Sequence, residues 1–233
     1  MRDVIIIPTF NEKENISALI REIFDIVPSV HVLVVDDNSP DGTGDIVTAL
    51  KKTFPNLALF TREKKEGLGK AYVSAFRKVL QDENLRSIVM MDADLSHRPE
   101  YLKAMFQAID SSDVVIGSRY ISGGGTRGWE LWRRILSLFG NIYCKLLTRM
   151  PIHDCTGGFN AIRAETLRKV NLSGIDLSGY AFIMELKYAL FKAGARFLEI
   201  PIIFTNRAGG ESKISGHIIS EGILAPWKMI LKK

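Results

Sequence analysis

The sequence predicts an α/β fold, a mostly parallel sheet flanked by helices in a single domain, and three observations carry that prediction. Short apolar runs rich in Val, Ile, Leu and Met recur through the first half of the chain. Stretches with helical apolar spacing lie between them. Polar clusters sit at the carboxyl ends of three of the runs. Alternating strand and helix implies right-handed crossovers between parallel strands. Apolar runs without polar alternation mark strands covered on both faces.

Taken in order, Val4–Pro8, His31–Asp36, Asn56–Thr61, Ser87–Asp92 and Asp113–Gly117 predict the strands. Between them, Glu14–Val27 places Ile16, Leu19, Ile20, Ile23 and Phe24 on one helical face, and Gly42–Thr53 and Leu68–Gln81 behave likewise. Asn11 and Asp41 are the expected N-caps of the first two helices. After residue 117 the rhythm changes. Gly123-Gly124-Gly125 forms a loop with wide backbone freedom. A long amphipathic helix from Glu130 to Thr148 follows, with Leu131, Ile135, Leu138, Ile142, Leu146 and Leu147 on its apolar side and Pro151 beyond its end. A helix at Ala181–Ala193, a strand at Phe197–Phe204 and an apolar tail at Ile214–Leu231, interrupted by Pro226, complete the chain.

Composition excludes several classes. A chain of 233 residues buries about 70% of its unfolded surface, so a sizeable core is available. With 46% hydrophobic and 24% charged residues, disorder, collagen and a disulfide scaffold are excluded. Cys144 and Cys155 read as reduced thiols of a cytosolic protein. No apolar run reaches the roughly 18 residues of a spanning helix, and no secretory leader precedes the first strand. The net charge of +5 is split: residues 1–116 carry 14 basic and 18 acidic side chains, residues 117–233 carry 17 and 8. Basic clusters interleaved with aromatics are missing, which argues against nucleic acid and for an anionic small substrate or membrane surface.

Ligands of open α/β sheets bind outside the carboxyl ends of the strands, so the residues there matter most. Asp92-Ala93-Asp94 places two carboxylates where the chain leaves the sheet. Their hard oxygens suit Mg²⁺ or Mn²⁺, ions that take one or two carboxylates and complete their shell with substrate phosphates; a plain turn with a capping aspartate is the alternative. Asp36-Asp37 reads either as turn chemistry or as an acceptor for nucleoside hydrogen bonds. Gly67-Leu68-Gly69-Lys70 suggests close backbone approach at a helix start, without a complete dinucleotide or Walker pattern. Arg119, Arg133-Arg134, Arg207 and Lys213 in the basic half are suited to phosphate, or to solvent. His97 follows the acidic pair, where it contacts phosphate or caps the next helix; His31 reads as structural. No Ser/His/Asp pattern and no zinc spacing emerges.

These clusters, in this order, resemble the dolichol-phosphate mannose synthases, inverting family-two glycosyltransferases of the GT-A fold. The resemblance runs from Pro8-Thr9-Phe10-Asn11-Glu12 through Val35-Asp36-Asp37-Asn38-Ser39-Pro40-Asp41-Gly42, Asp92-Ala93-Asp94-Leu95-Ser96-His97, Gly117-Ser118-Arg119-Tyr120, Gly128-Trp129 and Gly179-Tyr180 to Gly210-Glu211-Ser212-Lys213. It implies transfer of mannose from GDP-mannose to polyprenyl (dolichyl) phosphate, with inversion and with Mg²⁺ or Mn²⁺ as cofactor. It implies nucleotide-sugar contacts at Pro8, Phe10, Glu12, Val35, Asp37, Asp92, Ala93, Asp94, Arg207 and Lys213. It implies a metal on Asp92 and Asp94, acceptor-phosphate contacts at Arg119, Arg133 and Ser212, and catalytic roles for Asp92, Asp94 and Arg119. The expected organisation is a catalytic domain over 1–213, with a nucleotide and metal half (1–116) and an acceptor half (117–213), then an amphipathic tail over 214–233. The expected place is the cytosolic face of a membrane, reached directly through Leu131–Leu147 and Ile214–Leu231 or through a separate membrane subunit. Two residues depart from the pattern: Phe10 stands where tyrosine is common, and Asn160 where arginine is usual, with Arg163 nearby. A polyprenyl-phosphate glucosyltransferase and a non-catalytic nucleotide-sugar or lipid-phosphate binding subunit are the competing readings.

Overall fold

The computed structural model describes residues 1–175, 181–206 and 216–231. Seven strands form one sheet: β1 (Arg2–Thr9), β2 (His31–Asp36), β3 (Leu57–Thr61), β4 (Leu85–Met90), β5 (Val114–Ser118), β7 (Asn160–Arg163) and β8 (Phe197–Pro201). A short ribbon pairs β6 (Gly125–Arg127) with β9 (Ile203–Thr205) in parallel. The large sheet runs in the order β3-β2-β1-β4-β7-β5-β8. All its neighbours pair in parallel except β7, which is antiparallel to both β4 and β5.

Helices cover both faces, as the unbroken apolar strands require. Ile5 and Ile7 of β1 share a core with Leu19, Ile20 and Ile23 of α1 (Ile16–Ile26) and with Val47 of α2 (Thr43–Leu50). Ile6 points the other way, into a core with Tyr72 and Phe76 of α3 (Leu68–Val79) and Phe182 of α7 (Ala181–Lys192). Each such side chain, fully buried, contributes about 1.5–3 kcal/mol of transfer free energy. The helices α4 (Leu102–Ala108), α5 (Leu131–Thr148), α6 (Ala164–Arg168) and α8 (Gly216–Leu231) complete the set.

Four local expectations change. The strand β7 escapes periodicity because only Ala161 and Ile162 of its four residues are apolar. The run 197–204 is two strands rather than one. Ile202 breaks it: its N–H donates to Ser118 O while its carbonyl accepts from Gly125, so the chain steps from the large sheet to the ribbon there. Close packing at that step explains two glycines. A Cβ on Gly117 would lie 3.1 Å from Ile202, and one on Gly124 only 2.5 Å from the Ser118 carbonyl. The helix α8 runs through Pro226 instead of breaking at it. Finally, Asn11 does not cap α1. It adopts a left-handed turn (φ 61°), and Asn15 occupies the capping position without a side-chain bond to the helix backbone. Asp41 does serve the start of α2, accepting the Thr43 N–H at 2.9 Å, although Gly42 is the residue at the cap.

The helix α5 is amphipathic with its faces reversed. Its buried residues are Asn141, Cys144 and Thr148, whereas Leu131, Phe139 and Leu146 are 69%, 65% and 73% exposed. Ile135, Leu138 and Ile142 are exposed as well. The expected apolar side therefore faces outward. It packs beside α8, where Ile223, Leu224, Trp227 and Leu231 are exposed too. The Tyr143 hydroxyl ties the pair, donating to Ile223 O (2.9 Å) and accepting from the Trp227 indole (2.8 Å). Among the described residues, no helix is long and apolar enough to cross a membrane.

Candidate active site

The carboxyl ends of β1 and β2 form the first part of the site. The register puts Pro8 opposite Val35 and Thr9 opposite Asp36. Asp36 is buried and holds two loops together: it accepts from the Thr9 hydroxyl at 2.8 Å and from the Ser39 N–H and hydroxyl at 2.9 and 2.6 Å. The neighbouring Asp37 has another partner. Its backbone N–H donates to Thr9 O, and its carboxylate accepts from Arg62 at 2.7 Å, both side chains being buried. Burial pushes the Asp37 carboxyl upward from the usual range, against the opposing pull of Arg62. Phe10 follows with its ring beneath the Lys65 ammonium, 4.1 Å from the ring centre. The Glu12 N–H donates to the Thr43 hydroxyl, and its carboxylate accepts from Asn15. Pro8, Phe10, Glu12, Val35 and Asp37 thus share one corner, whose backbone turns through the left-handed residues Asn11 and Asn38.

The end of β4 adjoins that corner, with the Met91 N–H donating to Ile6 O. Asp92, Ala93 and Asp94 follow. Asp94 is buried and accepts from the N–H and hydroxyl of Ser96. Between them, Leu95 holds φ 62°, a conformation costing a β-region side chain about 1–3 kcal/mol and found most often at functional sites. His97 caps no helix. Its Nδ1 accepts the Asp92 backbone N–H at 3.0 Å, which places the imidazole proton on Nε2. The ring lies flat against Phe159 (4.9 Å) and edge-on to Phe204 (5.5 Å). His97 is therefore a wedge that fixes the backbone of Asp92. Among the described residues no group of three or more His, Cys, Asp or Glu gathers for a metal. Two carboxylates without a third protein ligand fit Mg²⁺ or Mn²⁺ bound largely through phosphate and water, and do not fit structural zinc.

The end of β5 carries the cationic part. Arg119 is buried, and Asp154 accepts from its backbone N–H (3.0 Å), its Nε (2.7 Å) and one terminal nitrogen (2.7 Å). The same nitrogen donates to the Thr156 hydroxyl at 2.8 Å. Burial works against the Asp154 charge, but Arg119, assisted by Lys187, holds the carboxyl down to about 2. Lys187 of α7 is also buried, and its ammonium donates to the carbonyls of Asp154 (2.8 Å) and Gly157 (2.9 Å). Burial lowers the Lys187 pKa while Asp154 opposes the shift. From α5, the Asn141 side chain accepts the N–H groups of Cys155 and Thr156 and donates to the Thr156 hydroxyl. Asn160 is buried and donates to Gly157 O, so it belongs to this framework. Arg119 and Arg133 converge on one indole: their guanidinium carbons lie 5.6 and 4.0 Å from the Trp129 ring centre.

Of the residues expected at the site, the structure gathers Pro8, Phe10, Glu12, Val35 and Asp37 in one corner and Asp92, Ala93 and Asp94 beside it, with Arg119 and Arg133 on Trp129. Arg207, Ser212 and Lys213 lie outside the described residues. Asp154, Lys187 and Asn141 receive no role from the sequence, and Arg62, which with Gly67-Leu68-Gly69 belongs to the resemblance, receives none there either. The turn-rich Asp154-Cys155-Thr156-Gly157-Gly158 and a lysine inside the apolar run of α7 were the signals available.

Residues 4–170 match the model of glycosyl transferase family 2. The chain belongs to that family. It is 40% identical over 224 residues to the undecaprenyl-phosphate mannosyltransferase of Micrococcus luteus, covering 96% of this chain and 92% of that one. It is 41% identical over 230 residues to the polyprenol monophosphomannose synthase of Mycolicibacterium smegmatis, covering 97% and 86%. Among solved structures, the mannosyltransferase PcManGT from Pyrobaculum calidifontis, in complex with GDP-Man and Mn²⁺, superposes with a TM-score of 0.66 at 18% identity, covering 100% of this chain and 64% of that one. The likeness in shape establishes the GT-A fold for this family 2 chain, a mixed, mostly parallel sheet flanked by helices.

Proposed function

We propose that the protein is a mannosyltransferase that moves mannose from GDP-mannose to a polyprenyl phosphate, with inversion, releasing GDP. The observation that carries this reading is the double use of α5. Its first turn brings Arg133 to the Trp129 ring beside Arg119, and its outer face offers Ile135, Leu138, Phe139 and Ile142 to the surroundings. A phosphate site and a lipid surface on one helix suit an acceptor that is a phosphate joined to a long isoprenoid. The relatives named as polyprenol-phosphate mannosyltransferases support the same acceptor class.

The chemistry follows from the groups at hand. An acceptor phosphate is already an anion at neutral pH, so no side chain has to remove a proton from it. The protein instead gathers several anions, aligns them and stabilises the leaving diphosphate. Asp92 and Asp94 would hold the divalent cation, which supplies charge neutralisation to that diphosphate. The corner of Pro8, Phe10, Glu12, Val35 and Asp37 takes the nucleoside, and Arg119 and Arg133 take the acceptor phosphate. Arg207, Lys213 and Ser212 complete the phosphate contacts.

The apolar face of α5 and α8 supports docking on the cytosolic face of a membrane. Trp132 and Trp227, about half exposed, suit the headgroup boundary, and the exposed Arg134 and Lys228 suit anionic lipid. The test is incubation with Mn²⁺, polyprenyl phosphate and a panel of labelled nucleotide sugars, followed by extraction. Label entering the organic phase from GDP-mannose supports the reading; label from another nucleotide sugar instead overturns the donor assignment.

A further inference from the structure

We propose that Trp129 is a phosphate ligand of the transfer site, its indole N–H donating to an oxyanion held between Arg119 and Arg133; this rests on the reading of the site as one that transfers to a phosphate. The three tryptophans of the chain differ in a telling way. Trp132 and Trp227 are exposed, yet the N–H of Trp132 is paired with Glu130 and that of Trp227 with the Tyr143 hydroxyl. The Trp129 Nε1 is buried and has no hydrogen-bond partner among the described residues. A buried donor left unmatched is expensive and rare, and its place beside two arginines points to an acceptor on a bound ligand.

The surroundings identify the chemistry of that acceptor. Two guanidinium groups lie against the indole, that of Arg133 at 4.0 Å and that of Arg119 at 5.6 Å from the ring centre, so the local field favours an anion. Arg119 spends its Nε and one terminal nitrogen on Asp154 and Thr156, which leaves it supplying charge more than directed donors. A phosphate has several oxygens to satisfy, and a neutral N–H beside two cations adds a donor without adding charge. The indole also abuts the other half of the site. Its ring meets Phe204 edge-on at 5.5 Å, and Phe204 in turn meets His97, the residue that fixes Asp92. The Trp129 ring is thereby packed, through Phe204 and His97, against the loop that carries the acidic pair. The oxyanion comes from the acceptor monoester or from the diphosphate of the donor; both present the same chemistry.

The experiment follows the three indole N–H signals of the full chain, labelled with ¹⁵N, with the Trp129 signal assigned by its loss in Trp129→Phe. Farnesyl phosphate is titrated in one arm and GDP with Mn²⁺ in the other. The Trp129 proton is expected to move downfield in at least one arm, and the arm names the source. Trp129→Phe keeps a ring for the two arginines and removes only the donor; its KM for the matching substrate should rise about tenfold with kcat nearly unchanged and thermal unfolding as in the wild type. A wild-type enzyme that transfers sugar while its Trp129 signal stays fixed in both arms, with unchanged KM in Trp129→Phe, overturns the proposal. A shift without transfer to any lipid phosphate sustains the ligand and overturns the mannosyl reading instead, so the two failures are distinguishable.

Discussion

The Arg119 guanidinium and the Asp154 carboxylate face each other through two bonds of 2.7 Å, and the Arg119 backbone N–H closes a third at 3.0 Å. Both side chains are buried. Such a pair fixes a cation in place at the edge of the site, because the guanidinium cannot swing away without stranding the carboxylate. Asp154→Asn should destabilise the fold by about 3–5 kcal/mol, the cost of leaving a buried charge without its counterpart. Urea unfolding checks it; a loss below about 1 kcal/mol would show that the pair is replaceable.

The same pair sets an acid limit. The Asp154 carboxyl titrates near 2 in the fold, below its ordinary value near 3.8 in an unfolded chain. A group whose folded pKa is depressed stabilises above the unfolded value and loses that contribution as pH falls through the folded one. The stability attributable to Asp154, on the order of 2 kcal/mol, should therefore be intact above about pH 4 and fall away between about pH 4 and pH 2. Comparing wild type with Asp154→Asn across this window by chemical denaturation gives a gap that narrows toward acid. A gap that stays constant refutes the assignment.

Asp94→Ala should abolish transfer, since it removes one carboxylate of the acidic pair, while the bonds it breaks to the Ser96 N–H and hydroxyl lie within one loop. Calorimetry with Mn²⁺ and GDP reads the cause: metal-dependent nucleotide affinity should fall at least about tenfold, the usual effect of losing a metal ligand or its close support. Turnover like that of the wild type removes the metal assignment.

His97→Phe keeps a flat ring between Phe159 and Phe204 but removes the acceptor of the Asp92 N–H. Losing the acceptor of this part-buried N–H frees the Asp92 backbone, which should weaken Mn²⁺-dependent GDP binding. Unchanged nucleotide affinity would show that Asp92 is held without it.

On α5, Leu138→Glu and Phe139→Glu alter side chains that already face outward, so stability should change by less than about 0.5 kcal/mol. Flotation with vesicles containing anionic lipid should drop sharply. Equal flotation of variant and wild type excludes this face as the docking surface.

The sheet was legible because strands buried on both faces are written as uninterrupted Val, Ile and Leu, and the first five appear where periodicity puts them. The strand β7 was hidden, since four residues with two apolar positions carry no period. The acidic pair was legible from its place at a strand end. The partners Asp154, Lys187 and Asn141 were not, because their meaning lies in contacts between residues 30 or more positions apart or on separate elements, such as Lys187 with Asp154. The helix α5 misleads in a useful way: its spacing gives an amphipathic helix, but only the structure shows which face turns inward, and Asn141 rather than Leu138 does so.

The most direct test of the central claim compares two acceptors with labelled GDP-mannose and Mn²⁺: a polyprenyl phosphate and the corresponding polyprenol, which carries a hydroxyl in place of the phosphate. A site that gathers anions and supplies no base should move label into the organic phase with the phosphate and leave the alcohol untouched. Comparable transfer to both, or none to the phosphate, would contradict the account.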